Sequence, residues 1–195
     1  MKLQFLLARH GFPSGRFDGG LGERTSAALR RFQRWARIGA DGIAGRATLS
    51  RLRRRPPGVP GALARPVPGG IGDGFGPRGD RFHAGVDFPA AHGTTVRAAR
   101  GGVVTSAGWR DGGFGRTVSI AHGGGLRTVY AHLSSIHVSG GERVARGEAV
   151  GRVGATGSAT GPHLHFEARV RGASIDPFYR QAVRHDSSQG GRIIL

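Results

Sequence analysis

Two rhythms of apolar residues divide this chain. Ala28, Leu29, Phe32, Trp35 and Ala36 recur at three- and four-residue steps, the spacing of one helical face. Arg30, Arg31, Arg34 and Arg37 fill the opposite face. Upstream, Leu3, Phe5, Leu6 and Leu7 predict a short helix closed by Gly11. The stretch from Asp18 to Leu29 aligns with that from Asp41 to Leu52, both reading Asp-Gly-x-x-Gly-x-x-Thr-x-x-x-Leu. Asp-Gly makes a turn and the second glycine leads into a helix, so the duplication predicts a three-helix unit over residues 1–54. Turn chemistry accounts for Asp18, Thr25, Asp41 and Thr48, which are read as structural.

The helical rhythm stops at Arg53-Arg-Arg-Pro-Pro-Gly-Val-Pro-Gly-Ala62. Prolines cannot extend a helix, and the segment predicts an exposed, semi-rigid spacer with the linker over residues 55–62. From Leu63 onward short β-type runs alternate with glycines: residues 101–105, 117–120, 127–130, 143–144, 149–150 and 164–168. This pattern predicts an antiparallel β-rich domain over residues 63–180, with loops forming a groove. The fold class is therefore α plus mainly β in two domains, and residues 181–195 form a tail to which no role is assigned.

Composition narrows the partners. Glycine supplies 37 of 195 residues, which favours tight turns and short strands. Apolar runs are only a few residues long, so no membrane span is expected. Lys+Arg number 29 against 12 Asp+Glu, a formal charge of +17 that points to a polyanionic partner: nucleic acid, an anionic membrane or an anionic wall polymer. The basic residues are spread along the whole length, and with two Tyr and two Trp there is no aromatic stacking platform, so no specific nucleic acid is expected. The apolar stretch near the N-terminus is interrupted by Gln4 and ends at Arg9, too short for a secretory leader. A trimmed leader or another export route is the expectation.

Without cysteine, a metal must be held by His, Asp or Glu. In Thr160-Gly-Pro-His-Leu-His-Phe-Glu167, strand alternation turns His163, His165 and Glu167 to one face, where they form part of a metal site or an edge strand with solvated histidines. Two further segments, Phe82-His-Ala-Gly-Val-Asp-Phe88 and Tyr130-Ala-His-Leu133, carry histidines. His83, Asp87 and one histidine of the pair complete the three protein ligands of a catalytic zinc, leaving His132 and the other histidine as unligated bases. Glu167 reads as a surface carboxylate or as a buttress to that site. His122 is expected in a turn or near the groove. His10, His92, His137 and His185 read as solvated.

Taken in order, Arg65-Pro-Val-Pro-Gly69, Phe75-Gly-Pro-Arg78, His83-x-x-x-Asp87, Gly93-Thr-Thr-Val96, Tyr130-Ala-His-Leu133, Gly154-Ala-Thr-Gly157, the His-Leu-His segment and Ile175-Asp-Pro177 resemble the lysostaphin-like M23 zinc metalloendopeptidases. Leu3-Gln4, Phe32-Gln33 and the duplicated turn resemble the three-helix peptidoglycan-binding domain. The resemblance implies a Zn2+ held by His83, Asp87 and His165, with His132 and His163 as the catalytic pair, base and oxyanion roles undivided. It implies peptidoglycan as both substrate and anchor, action at the cell wall, in the periplasm or outside the cell, and a cellular or phage source. A catalytically silent wall-binding or hydrolase-regulating protein is the alternative, disfavoured because all five site residues are present. Phe114-Gly-Arg116 departs from the family's Tyr-Gly-Asn, and a guanidinium at the groove is expected to change polar recognition.

Overall fold

The computed structural model describes residues 2–178 apart from 55 and 57. The expected tail, the last two residues of the expected second domain and His185 lie outside the described residues. Helices α1 (Lys2–Arg9), α2 (Glu23–Trp35) and α3 (Arg46–Leu52) form the N-terminal unit around Leu7, Leu29, Phe32 and Leu52. Its duplication works through two buried glutamines. Gln4 Nε2 donates to Asp18 Oδ1 at 2.7 Å, and Gln4 Oε1 accepts from the Gly19 amide at 2.8 Å. Gln33 repeats this at the second turn, donating to Asp41 Oδ1 at 2.7 Å and Thr48 Oγ1 at 3.1 Å while accepting from the Gly42 amide at 2.9 Å. The repeated Asp and Thr residues therefore complete polar pairs inside the turns, as expected of structural positions.

His10 corrects the sequence reading. It is 3% exposed, and its Nε2 donates to the carbonyls of Leu52 at 2.9 Å and Arg54 at 3.1 Å, tying the end of α1 to the end of α3. Its Nδ1 is buried with no partner among the described residues. The linker also differs from a fully exposed spacer. Val59 is buried in the core of the second domain, and Arg100 Nη1 donates to the Pro60 carbonyl at 2.9 Å.

The second domain contains β1 (Gly76–Arg78), β2 (Arg81–His83), β3 (Val86–Pro89), β4 (Thr95–Arg97), β5 (Gly102–Arg110), β6 (Gly115–Ala121), β7 (Leu126–Ile136), β8 (Arg143–Val144), β9 (Ala149–Val153), β10 (His163–Val170) and β11 (Ala173–Ile175). β1 and β2 make a hairpin, and the other nine form one sheet whose pairings are all antiparallel. Sequence periodicity misses β1 to β4 and β11. Each has only three or four residues, and its strand character comes from its partner rather than from its own alternation. Val86, Phe88, Val118, Ile120, Tyr130, Leu164 and Phe166 make the core. No helix among the described residues is long and apolar enough to cross a membrane.

The two units touch. Ala173 of β11 is fully buried within the helical core, the Ser174 amide donates to the Gly11 carbonyl at 3.2 Å, and Trp35 Nε1 donates to the Val170 carbonyl at 3.3 Å. A Cβ at Gly11, whose φ is +84°, would lie 2.2 Å from the Ser174 carbonyl oxygen.

Replacing Gln33 by Ala removes the partner of the Gly42 amide and one bond each from Asp41 and Thr48, and is expected to destabilise the helical unit by roughly 2 kcal/mol in chemical denaturation. Burial, followed by the nearby Arg9, lowers the His10 pKa below its ordinary 6.5 against the raising effect of its two carbonyl partners. The unfolded chain therefore takes up this proton first as pH falls, and stability is lost on acidification below about pH 6.5. His10→Gln is expected to remove this component, seen as a smaller difference in melting temperature between pH 7.5 and 5.0 than in the wild type.

Candidate active site

β10 lies inside the sheet, between β3 and β11 on one side and β7 on the other. Leu164, Phe166, Ala168 and Val170 enter the core, so alternation sends His163, His165, Glu167 and Arg169 to the opposite face. The register sets His165 directly opposite Asp87 of β3 and Ala131 of β7. His83 arrives at the end of the β1–β2 hairpin. The chain between His83 and Asp87 packs hard on β10: a Cβ at Gly85 would lie 2.6 Å from the Phe166 carbonyl oxygen and 2.8 Å from His165 Cε1.

His132 reaches the same face by an irregularity. Strict alternation along β7 would send it to the core with Thr128 and Tyr130. Its φ of 61° is left-handed, and the pairing of β7 with both β6 and β9 shifts register beside it. This bulge reverses the parity, so Leu133 enters the core and His132 lines the groove. The His132 amide donates to the Phe114 carbonyl at 2.9 Å, which holds the bend.

Asp87 Oδ1 lies 2.8 Å from His165 Nδ1 and 3.1 Å from His83 Nε2, and those nitrogens are 3.1 Å apart. The rings of His132 and His163 stand 4.7 Å apart beside them, with His163 Nε2 3.9 Å from Asp87 Oδ1. All five side chains line one groove of about 860 Å3. Each imidazole has its remote nitrogen bonded: His83 Nδ1 to the Gly74 carbonyl at 2.8 Å, His132 Nδ1 to the Thr156 carbonyl at 2.8 Å, His163 Nδ1 to the Gly161 carbonyl at 2.9 Å, and His165 Nε2 to Glu167 Oε1 at 3.2 Å. Carbonyl oxygens only accept, so His132 and His163 carry their protons on Nδ1 when neutral, which turns their Nε2 lone pairs to the centre. His83 Nε2 and His165 Nδ1 also face an acceptor, Asp87 Oδ1, and a cation held between them would leave each proton on the remote nitrogen.

The carboxylates are braced as well. Arg78 Nη2 donates to Asp87 Oδ2 at 2.9 Å and to Asp73 Oδ2 at 2.8 Å. Burial works to raise the Asp87 carboxyl, but bonds from His165, His83 and Arg78 prevail and hold it well below the ordinary range. Burial works against a charged His165, yet Asp87 and Glu167 outweigh it and raise its pKa to about 9. Burial lowers that of His132. The donor atoms of His83, Asp87 and His165 lie within 4.8 Å of one another, and two imidazole nitrogens with one carboxylate oxygen are a set that suits zinc.

Glu167 corrects the expectation of a surface carboxylate. It is 2% exposed and bridges His165 to Arg169, whose Nε donates to Oε2 at 2.6 Å. Alternation on β10 was the available signal for it. Arg78 is visible in the sequence only as part of its motif, and the carbonyls of Gly74, Thr156 and Gly161 leave no side-chain signature. His122 lies outside the groove, bonding the Gly101 carbonyl and, at 2.7 Å, Thr128 Oγ1, which donates in turn to the buried Tyr130 hydroxyl. His92 and His137 are exposed, as expected. Arg116 does not line the groove, contrary to expectation; its Nη1 donates to the Ser134 carbonyl at 3.3 Å. Phe114 does line it, packing edge-on to His165 at 5.9 Å.

Comparison with known proteins matches residues 81–177 to peptidase family M23 and residues 1–52 to a peptidoglycan binding domain. The DD-carboxypeptidase/endopeptidase Mpg of Neisseria meningitidis serogroup B is 50% identical over 97 residues, half of this chain and 22% of that protein. Lysostaphin of Staphylococcus staphylolyticus is 38% identical over 110 residues, 56% of this chain and 22% of that protein. The chain thus spans about a fifth of the length of these curated relatives. Among solved structures, the catalytic domain of lysostaphin from Staphylococcus simulans superposes with a TM-score of 0.52 at 36% identity, covering 56% of this chain and 89% of that one. A zinc containing peptidase from Vibrio cholerae gives 0.54 at 36% identity over 60% of this chain and 39% of its own. On sequence and fold together, the chain belongs to peptidase family M23.

Proposed function

We propose that this chain is a zinc-dependent endopeptidase acting on peptide cross-links or stem peptides of bacterial peptidoglycan, anchored to the wall by its helical unit. The observation that carries the reading is the convergence of His83 Nε2, His165 Nδ1 and Asp87 Oδ1 beside the unbonded Nε2 atoms of His132 and His163. The relatives named as endopeptidases and the zinc containing peptidase support it.

In this reading His83, Asp87 and His165 hold zinc. A zinc held by these three residues would supply an acidified water, its pKa brought toward ~7, and a Lewis acid for the scissile carbonyl. The chain's own groups supply the proton traffic. Burial keeps His132 neutral near pH 7, and its Nδ1–H, fixed on the Thr156 carbonyl, leaves Nε2 as an acceptor. His163 offers a second Nε2 under the same constraint from Gly161. One imidazole takes the proton of the attacking water and returns it to the departing amine as the C–N bond breaks. The other, once protonated, donates to the oxygen that gains charge. With a metal held there, Glu167 would keep the proton of His165 on Nε2 and leave Nδ1 free to ligate, while Arg78 occupies Asp87 Oδ2 and leaves Oδ1 turned to His83 and His165.

Binding of wall polymer by the helical unit raises the local concentration of peptide at the groove, so modest affinity in each unit suffices. Such a substrate places the working protein in the periplasm or outside the cell, and its excess of arginine suits anionic wall polymers.

Incubation with purified peptidoglycan is expected to release new amino termini, detected by mass spectrometry of the soluble fragments. A fully zinc-loaded protein that cleaves peptidoglycan of no cross-link type overturns the reading. His165→Ala is expected to lose the metal by elemental analysis. His132→Ala is expected to retain one zinc per chain while turnover falls by about a thousandfold; near-normal turnover would remove His132 from the mechanism. Glu167→Gln keeps an acceptor for His165 but no charge, and zinc affinity measured against a chelating dye is expected to weaken about tenfold.

A further inference from the structure

A second cleft of about 670 Å3 lies where the helical unit meets the catalytic domain. Arg31 and Arg34 enter it from α2 and Arg37 from the turn that follows, and Arg169 and Arg171 from the end of β10 and the turn beyond. Five arginines thus line a cleft with one carboxylate in its lining, Glu167, which is already engaged by Arg169 and His165, while Arg31 Nη2 donates to the Pro13 carbonyl and the Arg171 guanidinium lies over the Trp35 ring. The excess of like charge reaches the neighbouring wall. Arg110, stacked 4.2 Å above the Phe114 ring, has its pKa lowered by burial and then by repulsion from Arg169.

Phe12, Trp35 and Phe114 give the cleft an apolar floor. Ala84, Phe114 and Glu167 line both this cleft and the groove that holds the five site residues, so the two adjoin. A segment leaving the groove in this direction passes directly between the two units.

We infer that this cleft is a substrate subsite for an acidic peptide segment, whose free carboxylates are held by the arginines while its aliphatic parts lie on the aromatic floor. The inference rests on the peptidase reading and adds to it that the helical unit contacts the substrate being cut, besides tethering the enzyme. Guanidinium forks match carboxylates in pairs, which makes Arg more selective than a diffuse positive surface. Adjacency to the groove favours a segment of the substrate over a separate polyanion, which has no need of a cleft beside the groove.

The test compares a soluble peptidoglycan fragment bearing free carboxylates with the same fragment after amidation, using zinc-loaded full-length protein. For the wild type, amidation is expected to raise KM about tenfold and to leave kcat within about twofold. Arg34→Gln, on the helical unit, and Arg171→Gln, on the catalytic domain, are each expected to raise KM for the free acid and to shrink the effect of amidation. Both side chains are exposed, and unchanged melting temperatures show that the variants fold. Calorimetric titration of both fragments reads the same preference without turnover. Cleavage and binding of both fragments with equal constants overturn the subsite and leave the peptidase reading intact. Preferential binding of the free acid without cleavage of either fragment, or of peptidoglycan of any cross-link type, sustains the acidic-peptide site and overturns the peptidase reading. Loss of the preference in millimolar inorganic phosphate, at an ionic strength where chloride preserves it, identifies a general anion site and overturns the peptide assignment.

Discussion

Placement of the site depends on the register of β10 between β3 and β7. One face of β10 is committed to the core through Leu164, Phe166, Ala168 and Val170, so a slip by a single residue would drive His163 and His165 into that core. Such a slip is blocked on both sides by antiparallel pairing. The same pairing that buries Phe166 therefore sets His165 against Asp87, and hydrophobic packing supplies the accuracy that a three-donor site needs. Gly85 shows how tight that packing is, since its missing side chain is the room in which His165 sits.

Around this frame, the imidazoles are positioned by groups that accept hydrogen bonds, while Asp87 is held by a donor, Arg78. Three backbone carbonyls and Glu167 hold the remote nitrogens of four imidazoles, and those of Thr156 and Gly161 fix a tautomer as well as an orientation. The arrangement is economical because a carbonyl in a tight loop cannot rotate or ionise. Glu167 is the exception, a buried charge balanced by Arg169 and His165, and there the site joins the basic cleft. The helical unit follows a related rule: Gln4 and Gln33 each supply a donor and an acceptor that complete their turns from within.

Much of this was legible in the sequence where physical signals are local. The duplicated turn, the amphipathic α2 and the alternating His163, Leu164, His165 each leave a pattern within a few residues. His83, Asp87 and His132 came in as candidates by the donor count of a cysteine-free zinc site, and the division of roles between His163 and His165 rested on the family resemblance, since nothing in their spacing shows that three separate segments meet. What stayed hidden is non-local or sits on the backbone. Short strands such as β1 and β3 exist because of their partners. The burial of His10 comes from the convergence of two helix ends, and the burial of Glu167 from the neighbours of β10. The turn of His132 into the groove is a backbone feature at an ordinary residue, and no side-chain pattern announces a bulge.

Ala173 carries a consequence for how such proteins are assembled from parts. It belongs by sequence to the sheet, yet it completes the apolar interior of the helices, with Gly11 and Ser174 in backbone contact beside it. The boundary in sequence and the boundary in packing are therefore different boundaries. A recombination event that exchanged the first sixty or so residues for an unrelated wall-binding module would respect the first and violate the second, leaving a small apolar face on β11 open to water. An exchange of the helical unit would therefore need a partner that again covers Ala173.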